Sequence, residues 1–150
     1  MYLRFPSYMM ANTIQKQTHF LSFPQYAVVG ASKDQSKFGT KVLKWYIQRN
    51  KPVTPVHPSD DELEGIKTIR SLTDLPNPTE TAVSIITPAK ITIDLLKQVK
   101  DLSIPAVWCQ PGATDVACVQ YINENGMSDR VLFEGECILR DGDGVLQASM

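Results

Sequence analysis

The stretch QYAVVGASKDQSKFG, residues 25–39, decides the fold. Its opening is a short apolar run that stops at Gly30, as strands buried on both faces of a parallel sheet do. A polar loop follows, and then a helical pattern. Ser36 is the expected N-cap of a helix reaching about Asn50. Phe38, Val42 and Tyr46, joined by Leu43 and Ile47, form its apolar face, with Lys37, Lys41 and Lys44 outside.

The same alternation recurs downstream. PVTPVHP (52–58) is a second strand, followed by the polar segment SDDELEGIKTIR (59–70) and a short capped turn, SLTDLP (71–76). TAVSIIT (81–87) is a third buried strand. Thr87 and Pro88 then stand as N-cap and N1 of a helix carrying Ile91, Leu95, Val99 and Leu102 at helical spacing. IPAVWCQ (104–110) is a fourth strand, and a helix from about Thr114 ends near Gly126, a good residue to stop one. DRVLFEG (129–135) is the fifth strand, with ECILRD as a final short segment. Five strands separated by helices imply a single Rossmann-like α/β domain. Its sheet is doubly wound, mainly parallel and five-stranded, with helices on both faces.

Composition agrees with one domain. The chain has 150 residues, 43% hydrophobic and 21% charged, enough to bury roughly two-thirds of its unfolded surface without a staple. Fifteen basic residues against 16 acidic ones leave a net charge of −1, which argues against a domain held to nucleic acid or a membrane by bulk charge. No apolar run approaches the ~20 residues of a membrane span. Cys109, Cys118 and Cys137 are widely spaced with no CxxC pair, which reads as buried thiols in a reducing compartment. With only His19 and His57 present, no metal site is expected.

Residues 1–19 are read as an N-terminal extension, partly disordered, and residues 20–150 as the domain. The first acid is Asp34, and acid-poor N-termini occur in mitochondrial transit peptides. Few arginines, the early Pro6 and the internal Met9 and Met10 favour a short upstream extension and a cytoplasmic protein. Within 13–23, Ile14, Phe20 and Leu21 are expected to pack a helical turn or two on the domain.

Function must come from the loops at the strand ends. In GASKDQSKFG (30–39), Gly30 ends the strand and Gly39 sits in the first turn of the helix. Glycines there let backbone amides approach phosphate oxygens, the helix N-terminus adds partial positive charge, and Lys33 and Lys37 bring two ammonium groups. A ligand with several phosphates is the natural match. A P-loop is absent, because Gly39 is followed by Thr40-Lys41 at too long a spacing. The dinucleotide fingerprint would need glycine at Ser32 and Gln35. It would also need an acid at the end of the second strand, where Val56-His57-Pro58 stands and Asp60 and Asp61 lie beyond a proline. NAD is therefore disfavoured twice over.

The ordered set GAS (30–32), KFG (37–39), PVHP (55–58), SLTDLP (71–76), TPA (87–89) and WCQPGA (108–113) resembles the CoA-binding domain family. This is the stand-alone relative of the N-terminal domain of the succinyl-CoA synthetase α subunit, here most similar to a fungal version. The likeness runs over roughly residues 20–140. It implies binding of coenzyme A or an acyl-CoA. Gly30, Ala31 and Ser32 would meet the phosphates, and Lys33 and Lys37 would supply charge, with Phe38 and Gly39 shaping the pocket. His57 and Pro58 would border the nucleotide and Thr87 and Pro88 the pantetheine path. Gln110, Pro111 and Gly112 would lie where the thiol emerges.

Two departures stand out: His57 replaces the family's usual Asn, and Cys109 its frequent Leu. His57 is read first as a spacer with a local hydrogen bond, with a pH-dependent phosphate contact as the alternative. Cys109 is read first as a buried thiol, since no neighbour would lower its pKa, with a mixed disulfide with CoA as the alternative. The synthetase's phosphorylated histidine lies in other domains, and the chain shows no base-oriented nucleophile or carboxylate pair. A binding module without autonomous catalysis is expected. Two alternatives remain: an NAD(P)-binding oxidoreductase-like protein, and a ligand-free interaction subunit in which Trp45 is an exposed aromatic at a homodimer or partner surface unless it packs under the N-terminal segment.

Overall fold

The computed structural model describes residues 12–150. The reading of residues 1–9 as an upstream or targeting segment lies outside them, as does most of the proposed extension.

Helix α1 (Thr13–Phe20) opens with a capping box, in which Asn12 Oδ1 accepts from Gln15 N–H and Gln15 Oε1 accepts from Asn12 N–H. Next come β1 (Gln25–Val29), α2 (Phe38–Gln48), β2 (Val53–Val56), β3 (Glu62–Leu63) and β4 (Ile66–Lys67). A 3₁₀ turn at Leu72–Asp74 and another at Pro78–Glu80 lead into β5 (Thr81–Ile85). The chain closes with α3 (Ala89–Asp101), β6 (Ala106–Cys109), α4 (Val116–Glu124), β7 (Val131–Leu132) and α5 (Ile138–Ala148).

The main sheet has the order β2-β1-β5-β6-β7, every pair parallel. All five expected strands are in it. Period-two alternation sorts their side chains between two cores. Ala27, Val29, Val83, Ile85, Val107 and Cys109 point to the face covered by α3 and α4. Tyr26, Val28, Ala82, Ala106 and Trp108 point to the face covered by α1, α2 and α5. Pro55 is accommodated because β2 is an edge strand.

The structure corrects several expectations. Ser36 does not cap α2; its amide and hydroxyl both donate to Asp34 Oδ1, and Lys37 takes the N-cap position. Pro88, not Thr87, is the N-cap of α3, so that helix begins one residue later. Ile14 and Ile91 are exposed, and Gln17 and Thr92 occupy the buried positions beside them. Gln17 is satisfied there by Asp141 Oδ2, and Thr92 by Thr87 and the Pro88 carbonyl. The ECILRD segment belongs to an eleven-residue helix, α5. Residues 59–70 contain the antiparallel pair β3–β4, turned by Glu64 and Gly65 at positive φ. That pair is joined to the sheet edge through a Val56–Ile69 bridge.

Trp45 is not a surface aromatic: it is 3% exposed. Helix α2 is covered on both sides, with Tyr46 against the sheet and Trp45 beneath α5. Arg49 stacks over the Trp45 ring at 4.5 Å and pairs with Asp143 of α5. The homodimer or partner surface inferred from Trp45 loses its basis.

Candidate functional site

In an open parallel sheet, ligands bind beyond the carboxyl ends of the strands, where the strand order reverses. Here the chain runs from β1 outward to β2 and then returns to β5 on the other side of β1, so the reversal lies between β1 and β5. The register pairs Val29 with Val56 and Ile85, and Ile85 with Cys109. Four strands therefore end level. The residues next after them are His57, Gly30, Ile86 and Gln110, a row crossing three inter-strand gaps of about 4.8 Å each.

At the reversal the backbone is pressed together. Ile86 N–H donates to Val29 O at 2.8 Å. Gly30 has φ +119°, and a Cβ there would lie 2.3 Å from the Ile86 carbonyl oxygen. Across the same turn, a Cβ on Gly39 would lie 2.2 Å from the Gly30 carbonyl oxygen. Only glycine at both positions lets α2 start against the end of β1. The opening amides of α2, at Phe38, Gly39 and Thr40, have no acceptor within the helix and carry its partial positive charge. The first turn of α3 flanks the crevice from the opposite face of the sheet.

Thr40, which sequence reasoning passed over, braces the loop. Fully buried, its hydroxyl donates to Ser32 O at 2.8 Å and accepts from Ser32 N–H at 3.2 Å. Ser32 Oγ accepts from Asp34 N–H, leaving its own proton to give. Ala31 is buried and Phe38 partly so, while Lys33 and Lys37 stand in solvent. The exposed Asp34 is an acid on this loop, and hydrogen bonds from Ser36 hold its carboxyl below the usual range.

His57 is committed to the chain. Its Nδ1 accepts from Ser59 N–H at 3.1 Å and from Asp60 N–H at 2.8 Å, the two amides that a short side-chain amide at this position would also reach. The Nδ1 lone pair thus serves as a turn acceptor, and the side of the ring that could donate, Nε2, faces the Asp60 carboxylate. Asp60 corrects an expectation: although beyond Pro58, it is folded back toward the strand end, so only the missing glycines at Ser32 and Gln35 still count against a dinucleotide. Its carboxylate lies 3.5 Å from His57 Nε2 and 3.9 Å from Lys33 Nζ.

Along the rest of the row, the Thr87 hydroxyl bonds Thr92 Oγ1 at 2.8 Å and Pro88 is exposed. Gln110 is buried, its Oε1 accepting from Ile138 N–H at the start of α5. Pro111 and Gly112 are exposed, with Gly112 at positive φ. Asp115 caps α4 by accepting from Cys118 N–H. Cys109 is 1% exposed, as the buried-thiol reading expects, and burial pushes its thiol above the ordinary value, which leaves the alternative of a mixed disulfide without access. Glu136 is a further buried acid that the sequence did not mark. Its Oε1 accepts from Glu134 N–H and its carbonyl from Trp108 Nε1. Among the described residues no cluster of three metal-ligating side chains occurs, and no helix is long and apolar enough to cross a membrane.

Comparison with known proteins follows the same lines. A family model described as a CoA binding domain matches residues 24–143. Over 68 residues the chain is 32% identical to an ADP-forming acetate–CoA ligase of Methanocaldococcus jannaschii, a match spanning 45% of this chain and 10% of that protein. Among solved structures it is similar to a conserved hypothetical protein from Pyrococcus furiosus, 31% identical, covering 79% of this chain and 99% of the other with a TM-score of 0.71. In fold it is also similar to acetyl-coenzyme A synthetase 1 of Ca. Korarchaeum cryptofilum, solved with phosphate and ADP. That likeness is at 23% identity and a TM-score of 0.63, over 73% of this chain and 25% of the other. The chain thus spans a tenth to a quarter of these two enzymes.

Proposed function

The chain belongs to the CoA-binding domain family, and from that premise we propose that it binds coenzyme A or an acyl-CoA along the row of loops that closes the sheet. The observation that carries this is the pressed backbone at Gly30, Ile86 and Gly39, which presents helix-start amides at the reversal point with Lys33 and Lys37 beside them. Gly30, Ala31 and Ser32 take the phosphates, Lys33 and Lys37 supply charge, and Phe38 and Gly39 shape the pocket. His57 and Pro58 border the nucleotide, Thr87 and Pro88 the pantetheine, and Gln110, Pro111 and Gly112 the thiol. The loop order along the edge supports this assignment, since nucleotide, phosphates, pantetheine and thiol follow one another in the ligand as β2, β1, β5 and β6 do in the sheet.

We read the domain as a binder without autonomous catalysis. Support comes from how its reactive groups are used: His57 holds a turn, Asp115 caps a helix and Cys109 is buried. The motif order also supports kinship with the succinyl-CoA synthetase α subunit in a fungal form, and three free thiols suit the cytoplasm.

Isothermal titration of CoA into wild type and a Ser32→Ala, Lys37→Ala double variant tests the assignment. Loss of a hydroxyl donor and a cation weakens binding by about tenfold or more. Equal affinity of the two proteins contradicts it.

A further inference from the structure

Asp60 is more firmly placed than its loop position suggests. Its amide donates to His57 Nδ1 at 2.8 Å. Its carbonyl accepts from Arg70 Nη1 at 2.7 Å and from the Thr68 hydroxyl. The backbone is held on both sides, and the carboxylate, 31% exposed, lies past the end of β2, 3.5 Å from His57 Nε2 and 3.9 Å from Lys33 Nζ. Beyond β2 opens a pocket of about 530 Å³ lined by Lys33 and residues 59–65. Lys33 is the only cation among those lining residues. Arg70, just outside, is spent on Asp61 and on the Asp60 and His57 carbonyls. Lys44 is paired with Glu64.

In nucleotide-binding α/β folds an acid at the end of the second strand accepts hydrogen bonds from ribose hydroxyls, whereas a phosphorylated ribose calls for a cation there. This chain offers both within 3.9 Å of each other. A 3′-phosphate drawn to Lys33 must approach the Asp60 carboxylate, and the like charges oppose what the ammonium gains. A free ribose hydroxyl meets no such opposition and finds a pre-positioned acceptor.

Resting on the CoA-binding reading, we propose that Asp60 sets specificity at the ribose: it accepts from a ribose hydroxyl and counters the attraction of Lys33 for the 3′-phosphate. The site then holds 3′-dephospho-CoA about as well as CoA.

The test is titration of CoA and 3′-dephospho-CoA into wild type, Asp60→Asn and Lys33→Ala. Wild type binds the two ligands within about threefold of each other. Asp60→Asn removes the negative charge while keeping an acceptor, so CoA binds several-fold tighter and 3′-dephospho-CoA about threefold weaker. A folding defect would weaken both. Lys33 is 75% exposed, so its replacement leaves the fold alone; Lys33→Ala weakens CoA about tenfold more than the dephospho form. The proposal is overturned if wild type prefers CoA by more than about thirtyfold, or if Asp60→Asn shifts both ligands in the same direction or neither. Binding of neither ligand to wild type overturns the CoA reading itself, and this proposal with it.

Discussion

Gly39 lies so close to Gly30 that a Cβ added to it would sit 2.2 Å from the Gly30 carbonyl oxygen, with main chain on both sides of the contact. No rotamer relieves a clash of that kind, so Gly39→Ala must push α2 away from the end of β1. The expected cost is about 2–3 kcal/mol, a fall of about 8 °C in unfolding midpoint for a domain of this size. CoA affinity should fall further than the stability loss alone would cause, because the displaced element carries the phosphate-facing amides. Calorimetric unfolding and titration of the one variant check both parts.

Two other glycines, both inside α5, give a contrast of opposite sign. A Cβ on Gly142 would meet Trp45 Cζ2 at 2.4 Å, whereas one on Gly144 meets nothing within 4 Å. Gly142→Ala overpacks the buried α2–α5 contact and should destabilise by about 1–3 kcal/mol. Gly144→Ala should stabilise by up to about 1 kcal/mol through helix propensity. Denaturant midpoints of the two variants in one buffer settle the comparison.

The α5 contact also shows where the sequence stops being legible. All five sheet strands were readable because each is an apolar run between turn residues, and the ligand edge was readable because Gly30 and Gly39 bracket a helix start. Nothing in the adjacent Trp45 and Tyr46 says that a distant helix will cover the first of them. Inside α5, Gly142 and Gly144 lower helix propensity and hide it. The β3–β4 pair is too short and too polar to show a period, and with it the return of Asp60 to the strand end went unseen. Cap positions at Ser36 and Thr87 were displaced by one residue because propensity alone does not reveal that Asp34 or Thr92 competes for the same hydroxyl.

His57 furnishes a prediction about that loop. Replacing it with alanine leaves the Ser59 and Asp60 amides without their acceptor and should cost about 1 kcal/mol. His57→Asn should restore most of this loss, since a side-chain oxygen reaches the same two amides. Chemical unfolding of the three proteins would reveal it; an asparagine variant as weak as the alanine one would refute the turn-acceptor role.

Alkaline stability should fall because burial keeps the Cys109 thiol and two tyrosines protonated, of which the tyrosines act above pH 10. Burial pushes the Tyr26 hydroxyl up to about 12. Burial also drives Tyr46 well above its ordinary value, although its hydroxyl hydrogen-bonds Ser84 Oγ at 2.7 Å. In the unfolded chain both ionise near pH 10. Between pH 10 and 12 the folded state therefore holds protons that the unfolded state has released, and stability falls as pH rises. Below pH 10 this contribution is fully present. The slope is about 1.4 kcal/mol per pH unit for each tyrosine, and Tyr46→Phe should make the fall shallower. Stability measured from pH 8 to 11.5 tests the sign.

The most direct test of the central claim is thermal unfolding of the purified protein with CoA, acetyl-CoA, NAD, NADP and ADP side by side. A ligand at 100 times its dissociation constant stabilises by about 2.7 kcal/mol, a shift of roughly 5–10 °C here. CoA and acetyl-CoA are expected to give that shift while NAD and NADP give none. A shift with NAD or NADP and none with the CoA species would contradict the account.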